Sequence, residues 1–240
     1  MLNYTFDWSV LWRNPYGQWL LDGILTTIQL SLLAWVIALV IGVTVGTLRM
    51  FPRRSVRIIG TTYVEIIRNI PILVQLFFWY FALPALLPRH IELWLYKNVS
   101  KFPFWIAALA LGIYTASRVA EHIRAGLSSI SKDQYQAAYS TGLSTFQVYR
   151  YVIIPYAIRI VIPPLTTEFV TVFKNSALAM TITVMETTGA AYLIDSYTFH
   201  GLETTTGACL VYIAISISIA IFMGWMEKRI SIPGLIVRKG

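Results

Sequence analysis

Long apolar runs separated by short polar stretches dominate the chain, and the runs are too long to be the core segments of a soluble domain. The first runs from Leu20 to Leu48, the second from Ile58 to Leu87, and the third from Phe102 to Ile123. The fourth covers Tyr156 to Phe173 and the fifth Gly207 to Met226. Crossing a bilayer takes about 20 apolar residues, so these runs predict five spans. The second carries Glu65, Arg68, Asn69 and Pro71 in its first half, and the fourth is interrupted by Pro163 and Pro164. Lys174 to Thr206 is a mixed segment rich in Thr, Ala and Gly, expected on the outer side or re-entering from it. Gly42-x-x-x-Gly46 in the first run either seats a second helix closely or is tolerated against lipid. The expected fold is an all-α polytopic membrane protein with five transmembrane helices. Residues 1–19 are expected to form a short extracytoplasmic N-terminal segment, 20–229 the transmembrane domain, and 230–240 a cytoplasmic tail.

Composition agrees with that pattern. Of the 240 residues 57 % are apolar and only 12 % charged, whereas soluble domains run near 45–50 % and about 25 %. A large soluble domain does not fit beside five spans. The net charge of +8 would raise nucleic acid as a partner in a soluble protein. Here the basic residues lie between apolar runs, where they set topology, so nucleic acid is not expected. The aromatic and basic group Trp94, Tyr96, Lys97 falls at an expected membrane edge and reads as an interfacial belt. Cys209 stands alone, and His90, His122 and His200 form no metal-ligand spacing, so neither a disulfide framework nor a metal site is expected. Residues 1–19 lack a basic-then-apolar start, so the first span is expected to act as an uncleaved insertion signal.

Charge also orients the spans. Eleven Lys and Arg flank one set of span ends, from Arg49, Arg53, Arg54 and Arg57 through Arg124, Lys132 and Arg150 to Lys228, Arg229, Arg238 and Lys239. The opposite ends hold four: Arg13, Arg89, Lys97 and Lys101. The positive-inside bias then puts the C-terminus and the 124–150 loop in the cytoplasm and the N-terminus outside.

That loop has its own pattern. Ser131 or Asp133 can cap a helix, Gln134 to Thr141 are fair helix formers, and Gly142 suits the left-handed residue after a helix end. Ser144 or Thr145 can cap a second short helix ending before Pro155. The expectation is a cytoplasmic helix–Gly–helix elbow. Ala137 and Ala138 between Tyr135 and Tyr139 make a knob suited to a groove on another protein, or simply a solvated loop helix.

The offsets of Gln136-Ala137-Ala138, Gly142, Val152, Ile154 and Pro155 resemble the Glu-Ala-Ala coupling loop of ABC importer permeases, with Gln in place of the leading Glu. Three further stretches look like those of polar amino-acid permeases: Tyr63–Pro71, Arg118–Gly126 and Lys174–Leu178. Within that family the chain looks most like glutamate/aspartate importer permeases. The resemblance implies a type I permease that is not itself an enzyme. It would pair with a second, identical or similar permease subunit, be driven by a cytoplasmic ABC ATPase dimer, and be fed by an extracytoplasmic amino-acid-binding protein. Gln136, Ala137, Ala138, Gly142 and Pro155 would be the ATPase-coupling residues. The chain has no GxxxxGK[ST] loop, so it is expected to hold no cofactor, with ATP and Mg bound by the partner ATPase.

Charges inside a span are costly, about 2.5–3.5 kcal/mol each by insertion scales, and mark pairs or pathways. Glu65 with Arg68, and Glu121 with Arg124, stand three apart and are expected to be structural ion pairs. Arg118 and Lys174 are expected to attract substrate carboxylates, Glu168 to receive an α-ammonium, and Thr166 and Asn175 to add polar contacts. A permease for glutamine or basic amino acids and an ion-gradient-driven transporter are the alternatives. An embedded enzyme would rest on His122 beside Glu121 alone, and His122 reads as a packed histidine.

Overall fold

The computed structural model describes residues 4–230, and helices make up its framework, with no strand among the described residues. A short 3-10 turn, Trp8–Leu11, precedes α1, Tyr16–Leu48. There follow α2, Arg54–Asn69, and α3, Ile72–Phe77, which passes through a π turn into α4, Leu83–Ala85. Next come α5, Arg89–Asn98, and α6, Phe102–Ser128. The elbow is α7, Lys132–Ser140, and α8, Thr145–Val148, which feeds through a π turn into α9, Ile154–Asn175. A 3-10 segment, Ser176–Ile182, leads to α10, Thr187–Thr198, and α11, Gly201–Ile230.

Four stretches are long and apolar enough to cross a membrane: Tyr16–Leu48, Phe102–Ser128, Thr145–Ile182 and Gly201–Arg229. α2 and the following Ile72–Ala85, bent by 102° at the break, pass the same test when counted together as one broken span. The centre of the bundle is α1 against α6. A Cβ on Gly42 would stand 2.5 Å from Val119, one on Gly46 2.7 Å from Ile123, and one on Gly112 2.6 Å from Ile37. Residue numbers rise together along both helices, so α1 and α6 run parallel. The Gly42/Gly46 pair is therefore a packing device rather than a lipid-facing accident, because small residues let backbones close up where no water drives association.

Four expectations are corrected. The second run is not one straight helix. Pro71 has no N–H to donate and disfavours a helical residue before it, and α2 stops at Asn69. The Gln75 side chain then donates to the carbonyls of Ile67, at 2.8 Å, and Ile70, at 3.0 Å, supplying the donors that the break removed. In the fourth run, by contrast, α9 continues through Pro163 and Pro164. The second short helix is not closed off before Pro155: α8 passes at Val148 into the π turn Tyr149–Ile153 and on into α9, with Pro155 in the first turn of α9. The fifth run begins at Gly201, six residues earlier than its apolar stretch.

The mixed segment between α9 and α11 folds inward. Ala179, Ile182 and Val184 join Leu30, Leu76 and Leu111 in the main core. Of the expected tail, residues 231–240 lie outside the described residues.

Candidate translocation site and coupling elbow

Arg118 and His122 sit four apart on one face of α6, and both reach Glu168 of α9. Arg118 Nε donates to Glu168 at 2.7 Å, and His122 Nε2 lies 3.1 Å from its other oxygen. The Glu168 side chain is only 3 % exposed, while Arg118 stays 41 % exposed. The two groups expected to hold opposite ends of a substrate thus meet each other. Thr166 donates to Glu227 near the end of α11 at 2.6 Å. Lys174 is exposed and makes no ion pair among the described residues. Six positions beyond Glu168 it faces another side of α9, whereas half-buried Asn175, at the seventh, returns to the Glu168 side. The structure brings Arg118, His122 and Glu168 together and leaves Lys174 and Thr166 on other faces.

One layer further along α6, Glu121 gathers arginines. Arg124 Nη2 and Arg49 Nη1 each lie 2.5 Å from it, and Arg68 Nη1 lies at 3.9 Å. The Glu121–Arg124 pair forms, but the Glu65–Arg68 pair does not. Gly60, Val64 and Arg68 recur every four residues on the α2 face turned to α1 and α6, and Glu65 is rotated off it into an exposed position.

Other buried polar groups carry weak sequence signals. Glu186 is fully buried and caps α10, accepting from the amides of Thr188 at 3.0 Å and Gly189 at 2.8 Å and from the hydroxyl of Tyr212. An acid before Thr187-Thr188-Gly189 is a capping signal, but the segment's mixed composition masks it. Glu203 receives the Asp7 amide at 2.8 Å and the Tyr4 hydroxyl, tying the N-terminal segment to the head of α11. In that segment, donation from the Ser9 hydroxyl and amide holds the Asp7 carboxyl below its ordinary range.

The elbow forms as its sequence directs. Ser131 caps α7 by accepting from Gln134, and Ser144 with Gln147 closes a reciprocal capping box on α8. Gly142 takes φ of 78° between them. Ala138 turns inward onto Ile130, Val148, Ile153 and Ala157. Gln136 and Ala137 face out, and beside them Tyr139, Phe146, Tyr149 and Tyr151 are exposed. A cavity of about 340 Å³ lies under the elbow, lined by Ala137, Ala138, Leu143 and Tyr156 among others.

Helices long and apolar enough to cross a membrane, charges paired between them and an exposed helical elbow are the architecture of a membrane translocation subunit. The chain belongs to the family of binding-protein-dependent transport system inner membrane components, which it matches over residues 36–232. It is thus a multi-pass inner-membrane permease subunit and not an enzyme. It is 36 % identical to the glutamate/aspartate import permease protein GltJ of Escherichia coli (strain K12), over 97 % of this chain and 98 % of that protein. It is 34 % identical to the probable glutamine ABC transporter permease protein GlnM of Bacillus subtilis (strain 168), over 88 % and 92 %. Among solved structures, one described as an amino acid ABC transporter with histidines superposes with a TM-score of 0.81 at 28 % identity, covering 94 % of this chain and all of that one.

Proposed function

We propose that this chain is the permease subunit of an ATP-driven amino-acid importer and that its cargo is glutamate or aspartate. The single observation that carries the acidic cargo is the 36 % identity with a glutamate/aspartate import permease across nearly the whole of both chains. The site chemistry agrees with it. Arg118 keeps much of its side chain exposed while buried Glu168 fixes its direction, and Lys174 offers a second exposed cation on α9. In this reading Arg118 and Lys174 draw substrate carboxylates, Asn175 and Thr166 add polar contacts, and Glu168 faces the α-ammonium when Arg118 swings toward cargo. Glutamine is the second reading, supported by the 34 % identical glutamine permease.

The same proposal assigns the partners. A second permease subunit completes the pore, a binding protein delivers cargo at the end where α1 begins, and an ATPase dimer grips the elbow at Gln136, Ala137 and the exposed aromatics. ATP and Mg are bound by those ATPases. The N-terminus lies outside and the C-terminus in the cytoplasm. The experiment is ATP-dependent uptake in proteoliposomes holding the assembled transporter. Labelled glutamate and aspartate are expected to accumulate and to compete with each other. Uptake of glutamine alone would move the assignment to the second reading, and uptake driven by an ion gradient without ATP would reject the importer. Arg118→Ala and Lys174→Ala are each expected to weaken cargo affinity, and wild-type affinity and selectivity in both would remove them from the site.

A further inference from the structure

The arginine cluster around Glu121 is over-supplied with positive charge. Three guanidinium groups, of Arg49, Arg68 and Arg124, share one carboxylate, and no other carboxylate among the described residues is within ion-pair distance of any of them. Two positive charges are left in excess. Arg49 is built into the fold: its side chain is 7 % exposed, its stem packs on Gly60, and its Nε is buried without a hydrogen-bond partner. Arg68 and Arg124 are 46 % and 39 % exposed, and Arg68 reaches Glu121 only at 3.9 Å. The buried cation is paired, so the excess charge sits on the two half-exposed guanidinium groups of Arg68 and Arg124.

The position of the cluster limits what can complete it. The outer stripe of α1 is aliphatic through Leu32, Val36, Val40 and Val43, and Arg49 follows directly on Leu48, the last residue of the helix. Arg124 adjoins Ile123, which packs on Gly46, so both arginines stand where acyl chains give way to headgroups. Met50 and Phe51, which follow Arg49 directly, are exposed and give an apolar surface next to the cluster. Basic pockets between spans at this level suit lipid phosphates.

We infer that Arg68 and Arg124, backed by Arg49, form a binding site for the phosphate of an anionic phospholipid at the membrane face where α1 ends. The excess charge selects a headgroup without a compensating ammonium, and the apolar surface where α1 ends, at Met50 and Phe51, selects a lipid over a free anion. The site is independent of which amino acid is carried.

The test uses the full chain in detergent, stripped of lipid, and titrated separately with phosphatidylglycerol, phosphatidylethanolamine and inorganic phosphate. Native mass spectrometry reads bound lipid and thermal unfolding reads stabilisation. Phosphatidylglycerol is expected to bind with one preferred stoichiometry and to raise the unfolding temperature, with phosphatidylethanolamine far weaker. Removing one surface cation is worth about 1 kcal/mol, so Arg68→Gln and Arg124→Gln are each expected to weaken phosphatidylglycerol binding about fivefold. Arg89→Gln, at the opposite end of the bundle, is expected to bind as the wild type does. Equal binding of both lipids, or wild-type binding by both cluster variants that remain monodisperse, would overturn the site. Equal stabilisation by inorganic phosphate would overturn its assignment to lipid.

Discussion

Arg118 of α6 donates through Nε to the carboxylate of Glu168 on α9 at 2.7 Å, and this contact joins the middles of two spans. Because Glu168 is nearly sealed from solvent, removing its partner strands a charge. Losing one member of a buried pair costs about 3–5 kcal/mol, and His122, 3.1 Å from the other oxygen, offsets part of that. Arg118→Ala is therefore expected to lower the unfolding temperature of the detergent-solubilised chain more than Arg118→Ala combined with Glu168→Ala does relative to Glu168→Ala alone. A double-mutant cycle should return a coupling above about 1 kcal/mol, and strictly additive effects would show that the contact does not hold the spans together.

The bend between α2 and α3 rests on Gln75, whose Nε2 satisfies two carbonyls freed by Pro71. Gln75→Leu keeps the volume and removes both donations. Leaving a buried acceptor unsatisfied costs about 1–3 kcal/mol, so a clear loss of thermal stability is expected in detergent. An unchanged unfolding temperature would mean that the bend is set by Pro71 alone.

Span number was legible because lipid demands long apolar runs, and Leu20–Leu48 became α1 almost as read. The Gly42-x-x-x-Gly46 spacing left two readings open, and only the partner helix α6, with Val119 and Ile123 against those glycines, chose between them. Proline was the poorest guide. Pro71 breaks its helix and Gln75 satisfies the carbonyls the break opens, while Pro163 and Pro164 ride inside α9. Charge pairing failed at Glu65 for a related reason: spacing three apart puts two side chains near each other but says nothing of a third helix carrying a better anion, Glu121. Glu186 and Glu203 were unread because their partners, Thr27, Tyr212 and Tyr4, lie far away in sequence.

Glu186 tests how the polar segment between α9 and α11 stays folded. It caps α10 through two backbone amides and takes the Tyr212 hydroxyl from α11. A cap is worth about 1 kcal/mol, and stranding the buried donors adds about 1–3 kcal/mol. Glu186→Ala is expected to lower the unfolding temperature markedly, with Glu186→Gln retaining more stability because its oxygen still accepts. Equal losses in the two variants would show that the negative charge, not the hydrogen bonding, is what α10 requires.

Gly142 separates a folding role from a coupling role in the elbow. Its φ of 78° is left-handed, yet a Cβ built there meets no atom within 4 Å. A Cβ therefore meets no clash there, and backbone strain is what discriminates among the small substitutions. Strain in that region costs about 1–2 kcal/mol for most L residues, and Asn visits it more readily. The order of thermal stability is expected to be wild type, then Gly142→Asn, then Gly142→Ala, then the β-branched Gly142→Val. If the elbow transmits the ATPase stroke, ATP-driven uptake should fall in the same order and more steeply, since Gly142 sets the angle between α7 and α8 while the spans remain intact. Measuring unfolding temperature and uptake on the same four preparations decides it. Uptake that simply tracks the amount of folded protein would confine Gly142 to folding, whereas lost uptake in a well-folded Gly142→Ala would assign the elbow angle to coupling.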